Sequence, residues 1–60
     1  GSSIYKGVYW HKGSGKWMAY IKKNQKRYHL GLYQDEKDAA IAYNAAAADM
    51  FGKFAGLNAV

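Results

Sequence analysis

Sixty residues with nine Lys or Arg against four Asp or Glu make one small basic domain of formal charge +5, near the lower size limit for folding unaided. The chain has no Cys, and His11 and His29 are its only imidazoles, which excludes a disulfide framework and a structural zinc site of the Cys/His type. No apolar run approaches the roughly 20 residues of a membrane span, and the length argues against a stand-alone enzyme, so the chain reads as a module of something longer.

Gly1-Ser2 resembles an expression remnant. Residues 1–3 are therefore set aside as a disordered lead, and residues 4–58 are read as a single domain. Ile4 to His11 reads as a first strand, followed by the turn signal Lys12-Gly13-Ser14-Gly15. Residues 16–22 alternate, with Trp17, Ala19 and Ile21 on one side and Lys16, Met18, Tyr20 and Lys22 on the other. Lys23-Asn24-Gln25-Lys26 is a second polar turn. Residues 27–33 then place Tyr28 and Leu30 opposite Arg27 and His29. Such short links favour antiparallel hairpins.

Beyond residue 34 the spacing turns helical. Asp35 suits an N-cap, Glu36 and Asp38 suit the first turn, and Gly52 is a natural stop after Phe51. Ala39, Ala40, Tyr43, Ala46, Ala47 and Met50 form one buried stripe whose small side chains allow close approach to a sheet. Phe54 and Leu57 are expected to fold back over the core edge. The order predicts an α+β fold, a three-stranded antiparallel sheet packed against one C-terminal helix (βββα).

Charge is strongly polarised along this order. Lys6, Lys12, Lys16, Lys22, Lys23, Lys26 and Arg27 all precede residue 31, and every carboxylate follows it. A helix can cover only one side of the sheet, the side of Val8, Trp17, Ala19, Ile21, Tyr28 and Leu30. The open side then gathers Tyr9, His11, Lys16, Met18, Tyr20, Lys22, Arg27 and His29. Cations neutralise phosphates and release counterions. An Arg can also fork onto guanine, and Met18 can meet a thymine methyl. Lys22, Lys23 and Lys26 taken singly read as solvated turn charges; against a polyanion, Lys23 serves as a sequence-independent contact. Trp17 belongs to the core, and Trp10 shares the inward parity of Val8.

Two other readings use the same residues. Tyr and Trp can stack single-stranded nucleic acid or RNA. Tyr9, Trp10 and Tyr20 can form a cage for a methylated Lys in a chromodomain-like peptide binder, although a surface this rich in cations serves a cationic ligand poorly. No acid–base pair, nucleophile motif or phosphate-cradling loop is present.

The landmarks Tyr5-Lys6-Gly7-Val8, Gly15-Lys16-Trp17 with Ala19 and Ile21, and His29-Leu30-Gly31-Leu32-Tyr33 also form a familiar series. With Asp38 to Ala47 and the closing Ala55-Gly56-Leu57-Asn58, they resemble the Apetala-two/ethylene-response-factor DNA-binding domain over residues 4–58. The resemblance implies a sheet that reads the major groove of double-stranded DNA without cofactor, metal, membrane or small-molecule substrate. Lys6 falls at the Arg of the family's Tyr-Arg-Gly signature, and Tyr9 and His11 fall where plant members place base-contacting Arg. Tyr20 and Lys22 match second-strand contact positions, Arg27 and His29 match an Arg and a Trp on the third strand, and Leu32 and Tyr43 match positions near the backbone. Lys12 and Lys16 flank the first turn and complete the expected DNA-binding set: Lys6, Tyr9, His11, Lys12, Lys16, Met18, Tyr20, Lys22, Arg27 and His29. The first turn is one residue longer than in plant members and lacks their Trp, and Tyr9 and His11 replace two expected Arg, so plant preferences for GC-rich boxes do not transfer. Trp10-His11-Lys12 with Lys16-Trp17 is closer to bacterial and phage versions found beside homing endonucleases and recombinases, or to ciliate and apicomplexan ones. The resemblance implies a nuclear location for a eukaryotic parent and a cytoplasmic or nucleoid one for a bacterial or phage parent.

Overall fold

Backbone reversals with positive φ set the strand order in the computed structural model, which describes residues 3–60; the expected lead at residues 1–2 lies outside them. Strand β1 (Val8–His11) turns through Gly15, at φ 65°, into β2 (Lys16–Lys23). Asn24 and Gln25, at φ 52° and 65°, carry β2 into β3 (Lys26–Tyr33). Positive φ at both central residues is the pattern of a type I′ turn, whose twist matches that of the flanking strands. The sheet is antiparallel with order β1-β2-β3.

The first strand is shorter than expected, beginning at Val8 rather than Ile4. Gly7 sits at φ 71° and interrupts the extended run. Ahead of it the chain doubles back: the Ser3 amide donates to the Val8 carbonyl at 3.2 Å, and the Tyr5 amide donates to Ser3 Oγ. Ser3, grouped with the lead by sequence, also donates its hydroxyl to the Glu36 carboxylate and so ties this turn to the start of the helix.

A bulge divides β3. Ala19 pairs with Gly31 but Tyr20 pairs with His29, which leaves Leu30 as the extra residue. Leu30 packs against the core as expected, whereas Tyr28, on the same side of the sheet, lies beyond the helix cover and stays 41% exposed. Past the bulge the parity changes, so Gly31 and Tyr33 face the helix side and Leu32 faces away. Gly31 is at φ 139°, a Cβ there would stand 3.1 Å from the Tyr33 hydroxyl, and that hydroxyl donates to the Leu30 carbonyl at 3.4 Å. The Tyr33 ring therefore covers the bulge it follows.

Helix α1 (Glu36–Phe51) matches its expected bounds, followed by a 3-10 turn over Gly52–Phe54. Asp35 has the extended backbone of an N-cap residue, although its side chain makes no capping bond. Gly52, at φ 61°, closes the C-terminus with its amide on the Ala48 carbonyl. On the helix side of the sheet, Val8, Ala19 and Gly31 lie in one cross-strand row of falling size. Ala39 and Ala40 pack against that row, while Trp17, Leu30, Tyr33 and Tyr5 wall it in. Ile21 is the largest side chain completely enclosed, and its burial stabilises the fold by about 1.5–3 kcal/mol.

Two further contacts close the unit. Asn58 bridges the amide and carbonyl of Lys6 to the side chain of Asn44 through four hydrogen bonds of 2.7–3.1 Å. Tyr43 lays its ring against Gly7, where a Cβ would lie 2.2 Å from the ring carbon Cδ2. The expectation that Phe54 and Leu57 cover the core edge is not met, since they are 87% and 54% exposed. The tail is held by the hydrogen bonds of Asn58, which fix its course without burying those two side chains.

Gly7→Ala adds a Cβ where both the backbone angle and the Tyr43 ring forbid one, and we expect a loss of at least about 2 kcal/mol in urea unfolding. An unchanged midpoint would show that the Gly7–Tyr43 contact does not constrain the fold.

Candidate nucleic-acid interface

The molecule measures 32 × 25 × 15 Å, and its least extent admits one helix on one sheet, since packed layers lie roughly 10 Å apart. The far face of the sheet is thus free of the helix. Its side chains fall in cross-strand rows fixed by the register. His11 pairs with Lys16; Tyr9, Met18 and Leu32 form the next row; Tyr20 pairs with His29; and Lys22 pairs with Arg27. Lys16, Lys22, Arg27 and His29 are exposed, while His11, Tyr9 and Tyr20 are half-buried.

Contacts between rows order this face before any ligand arrives. The Arg27 guanidinium lies over the Tyr20 ring, 5.0 Å from its centroid, a cation–π arrangement worth about 0.5–1 kcal/mol at an exposed site. Tyr20 meets Tyr9 edge to face at 5.3 Å, and the Tyr9 hydroxyl is directed at the Met18 sulfur at 3.5 Å. A chain of contacts thus runs from Arg27 on β3 across Tyr20 on β2 to Tyr9 on β1. It restricts where the guanidinium fork can point. Lys22 faces Arg27 directly, and like charges in that position repel.

The structure separates the expected site residues into groups. Tyr9, Lys16, Tyr20, Lys22, Arg27 and His29 come together on the open face. Met18 lies on that face too, but only 8% of it is exposed, because Tyr9 and Leu32 flank it across the sheet. Leu32, 38% exposed, supplies the accessible methyl groups of that row. The sequence offered this residue only through the family resemblance, because a bulge leaves no mark on a period-two pattern.

His11 is half engaged in its own turn. The Ser14 amide donates to His11 Nδ1 at 3.2 Å, and Ser14 Oγ approaches the same nitrogen at 2.8 Å. With Nδ1 accepting, the neutral ring carries its proton on Nε2. Lys12 is exposed at the tip of this turn. Lys6 stands apart from the rows, its backbone held by Asn58 and its ammonium 2.8 Å from where a Gly56 Cβ would be.

Lys23, expected as a phosphate contact, has a partner within the domain. On the helix side of β2, its ammonium donates to the Met50 carbonyl at 3.2 Å and lies 5.7 Å from the Phe51 ring centroid. The last turn of α1 has no basic residue of its own, so β2 provides the cation that favours a helix C-terminus. Trp10 also faces the helix side, packed edge to face on Trp17 at 5.2 Å. This placement removes the methyl-lysine cage, because Trp10 lies across the sheet from Tyr9 and Tyr20. It also weakens the stacking reading, since Tyr9 and Tyr20 use their rings on one another.

A helix-backed three-stranded sheet with an exposed cationic and aromatic face defines a small βββα recognition module. Residues 3–53 match the AP2 domain, and the chain belongs to that family. It is 44% identical over 62 residues to the AP2-like ethylene-responsive transcription factors AIL7 and PLT2 of Arabidopsis thaliana. It is 42% identical to the AP2-like ethylene-responsive transcription factor CRL5 of Oryza sativa subsp. japonica. These alignments cover 100% of this chain but only 12%, 10% and 9% of the respective relatives. The chain thus spans about a tenth of their length. All three are plant proteins, and they lend no support to a nearer kinship with bacterial, phage, ciliate or apicomplexan versions.

The order within the face is testable without a ligand. Met18→Ala should cost about 2 kcal/mol in chemical denaturation, the lower end for a buried Met, although the residue lies on the side away from the helix. A cost below about 0.5 kcal/mol, usual for a surface position, would show that the row Tyr9–Met18–Leu32 is not packed.

Proposed function

We propose that this domain binds double-stranded DNA with sequence preference by docking its open sheet face in the major groove, as the recognition module of a nuclear transcription factor. The observation that carries the proposal is the grouping of Lys16, Lys22, Arg27 and His29 with Tyr9 and Tyr20 on the face that α1 leaves free. Membership in the AP2 family and the transcription-factor relatives support it. Those relatives favour transcriptional regulation over a homing endonuclease or recombinase as the task of the parent protein, and they favour the nucleus as its location. The domain acts as a binding module rather than as a catalyst.

Each residue type has a physical task in this reading. Lys12, Lys16 and Lys22 neutralise phosphates, which supplies affinity for any sequence and fixes register. Arg27, held over Tyr20, presents a fork suited to guanine O6 and N7. His29 and the Nε2–H of His11 offer hydrogen bonds to base edges or phosphates. Lys6, positioned beside the tail, reaches the backbone at the edge of the site.

Selection from a randomised duplex pool at near-physiological salt should return an enriched motif. If about five phosphates are neutralised, log K should fall with log salt at a slope near −4.5. Arg27→Ala should cost about 1–3 kcal/mol and relax preference at one base pair. Lys22→Ala should reduce the slope by about 0.9. Lys23→Ala should leave the slope unchanged and lower stability by about 0.3–1 kcal/mol through loss of its helix-terminal contact. Salt-insensitive binding, or no enriched duplex, would end the proposal.

A further inference from the structure

Among the rows of the open face, one carries no charge and no free polar tip. Tyr9, Met18 and Leu32 cross all three strands in register. The Tyr9 hydroxyl is turned onto the Met18 sulfur, Met18 is buried, and Leu32 is 38% exposed. This row therefore presents methyl groups and a ring edge to whatever lies above it. On one side stand His11 and Lys16, and on the other Tyr20 with His29 and then Lys22 with Arg27. Lys16 and Lys22 are six residues apart on β2, about 20 Å along an extended strand. A polyanion held by both ends must pass over the apolar row.

Base edges in the major groove are mostly hydrogen-bonding groups, and the one apolar group among the standard bases is the C5-methyl of thymine. A G·C pair laid against Leu32 would lose water from its polar edge and gain no partner, which is unfavourable. A thymine there buries its methyl against Leu32 instead. From this chemistry we infer that Leu32, backed by Met18 and flanked by Tyr9, is a specificity-determining contact for the C5-methyl group of a thymine in the central part of the bound site. The inference rests on the duplex-binding reading above. It goes beyond it by naming a base and the residue that selects it. Leu32 reaches this position only because the bulge at Leu30 turns it away from the helix.

Deoxyuridine tests this by removing the methyl group alone. In the duplex enriched from the random pool, each thymine of either strand is replaced singly by deoxyuridine, and binding is titrated at fixed salt. One position, or two adjacent ones, should weaken about fourfold, the effect of one buried methyl group, and the remaining replacements should be neutral. In Leu32→Ala the loss at that position should disappear, whereas in Lys22→Ala it should persist on a weaker baseline. If Leu32→Ala does not fold, Leu32→Thr, whose β-branched side chain suits a strand, takes its place. Tight duplex binding indifferent to every replacement overturns this inference and leaves the proposed function standing. An enriched site without thymine, or an undiminished deoxyuridine effect in the Leu32 variant, overturns it as well. Failure to enrich any duplex overturns both.

Discussion

The single extra residue in β3 determines which side chains this domain shows. Leu30 has no partner on β2, so residues on either side of it obey opposite parities. Before it, Tyr28 goes to the helix side and Arg27 and His29 go to solvent. After it, Tyr33 goes to the helix and Leu32 goes to solvent. Without the bulge, Tyr33 would leave the core wall and Leu32 would enter it, because a one-residue slip inverts every side chain that follows. Gly31 makes this geometry tolerable by adopting φ 139°, and Tyr33 shields it with its ring.

The helix side then needs little more than small residues. Ala19 and Gly31 lower the floor of the sheet, and Ala39, Ala40 and Ala47 on α1 are completely enclosed. Anchors at the ends supply what so slight a core lacks. Lys23 binds the hairpin to the end of α1, Ser3 binds the leading turn to its start, and Asn58 joins Lys6 to Asn44. A rigid backing of this kind lets the opposite face hold Arg27, Tyr20 and Tyr9 in a fixed relation. Recognition benefits, because less side-chain freedom is lost on binding.

Most of this was legible in the sequence wherever a period or a turn residue spoke for it. The alternation of residues 16–22, the two turns and the bounds of α1 all follow from local chemistry. What failed depended on neighbours distant in the chain. Ile4 to Gly7 alternates like a strand, yet Gly7 takes a positive φ and packs on Tyr43, 36 residues further along. Met18 has the parity of a solvent position and is buried by Tyr9 and Leu32, whose proximity depends on register. Lys23 looks like a turn charge until the helix end arrives beside it. Phe54 and Leu57 look like core residues, but the tail is held by the polar bonds of Asn58. The cationic face was legible because charge segregation along the chain survives folding. The identity of its exposed apolar residue was not, because a bulge alters parity without altering composition.

The β2–β3 hairpin tip combines two sources of tension. Asn24 and Gln25 hold a backbone conformation that suits Gly, and two residues from the turn on each strand Lys22 and Arg27 face each other across the sheet. Both raise the free energy of the isolated domain at this one end. An anion seated between the two side chains relieves the repulsion, so ligation and local stability become thermodynamically linked. Dissolved salt, by screening the same two charges, imitates that relief in part.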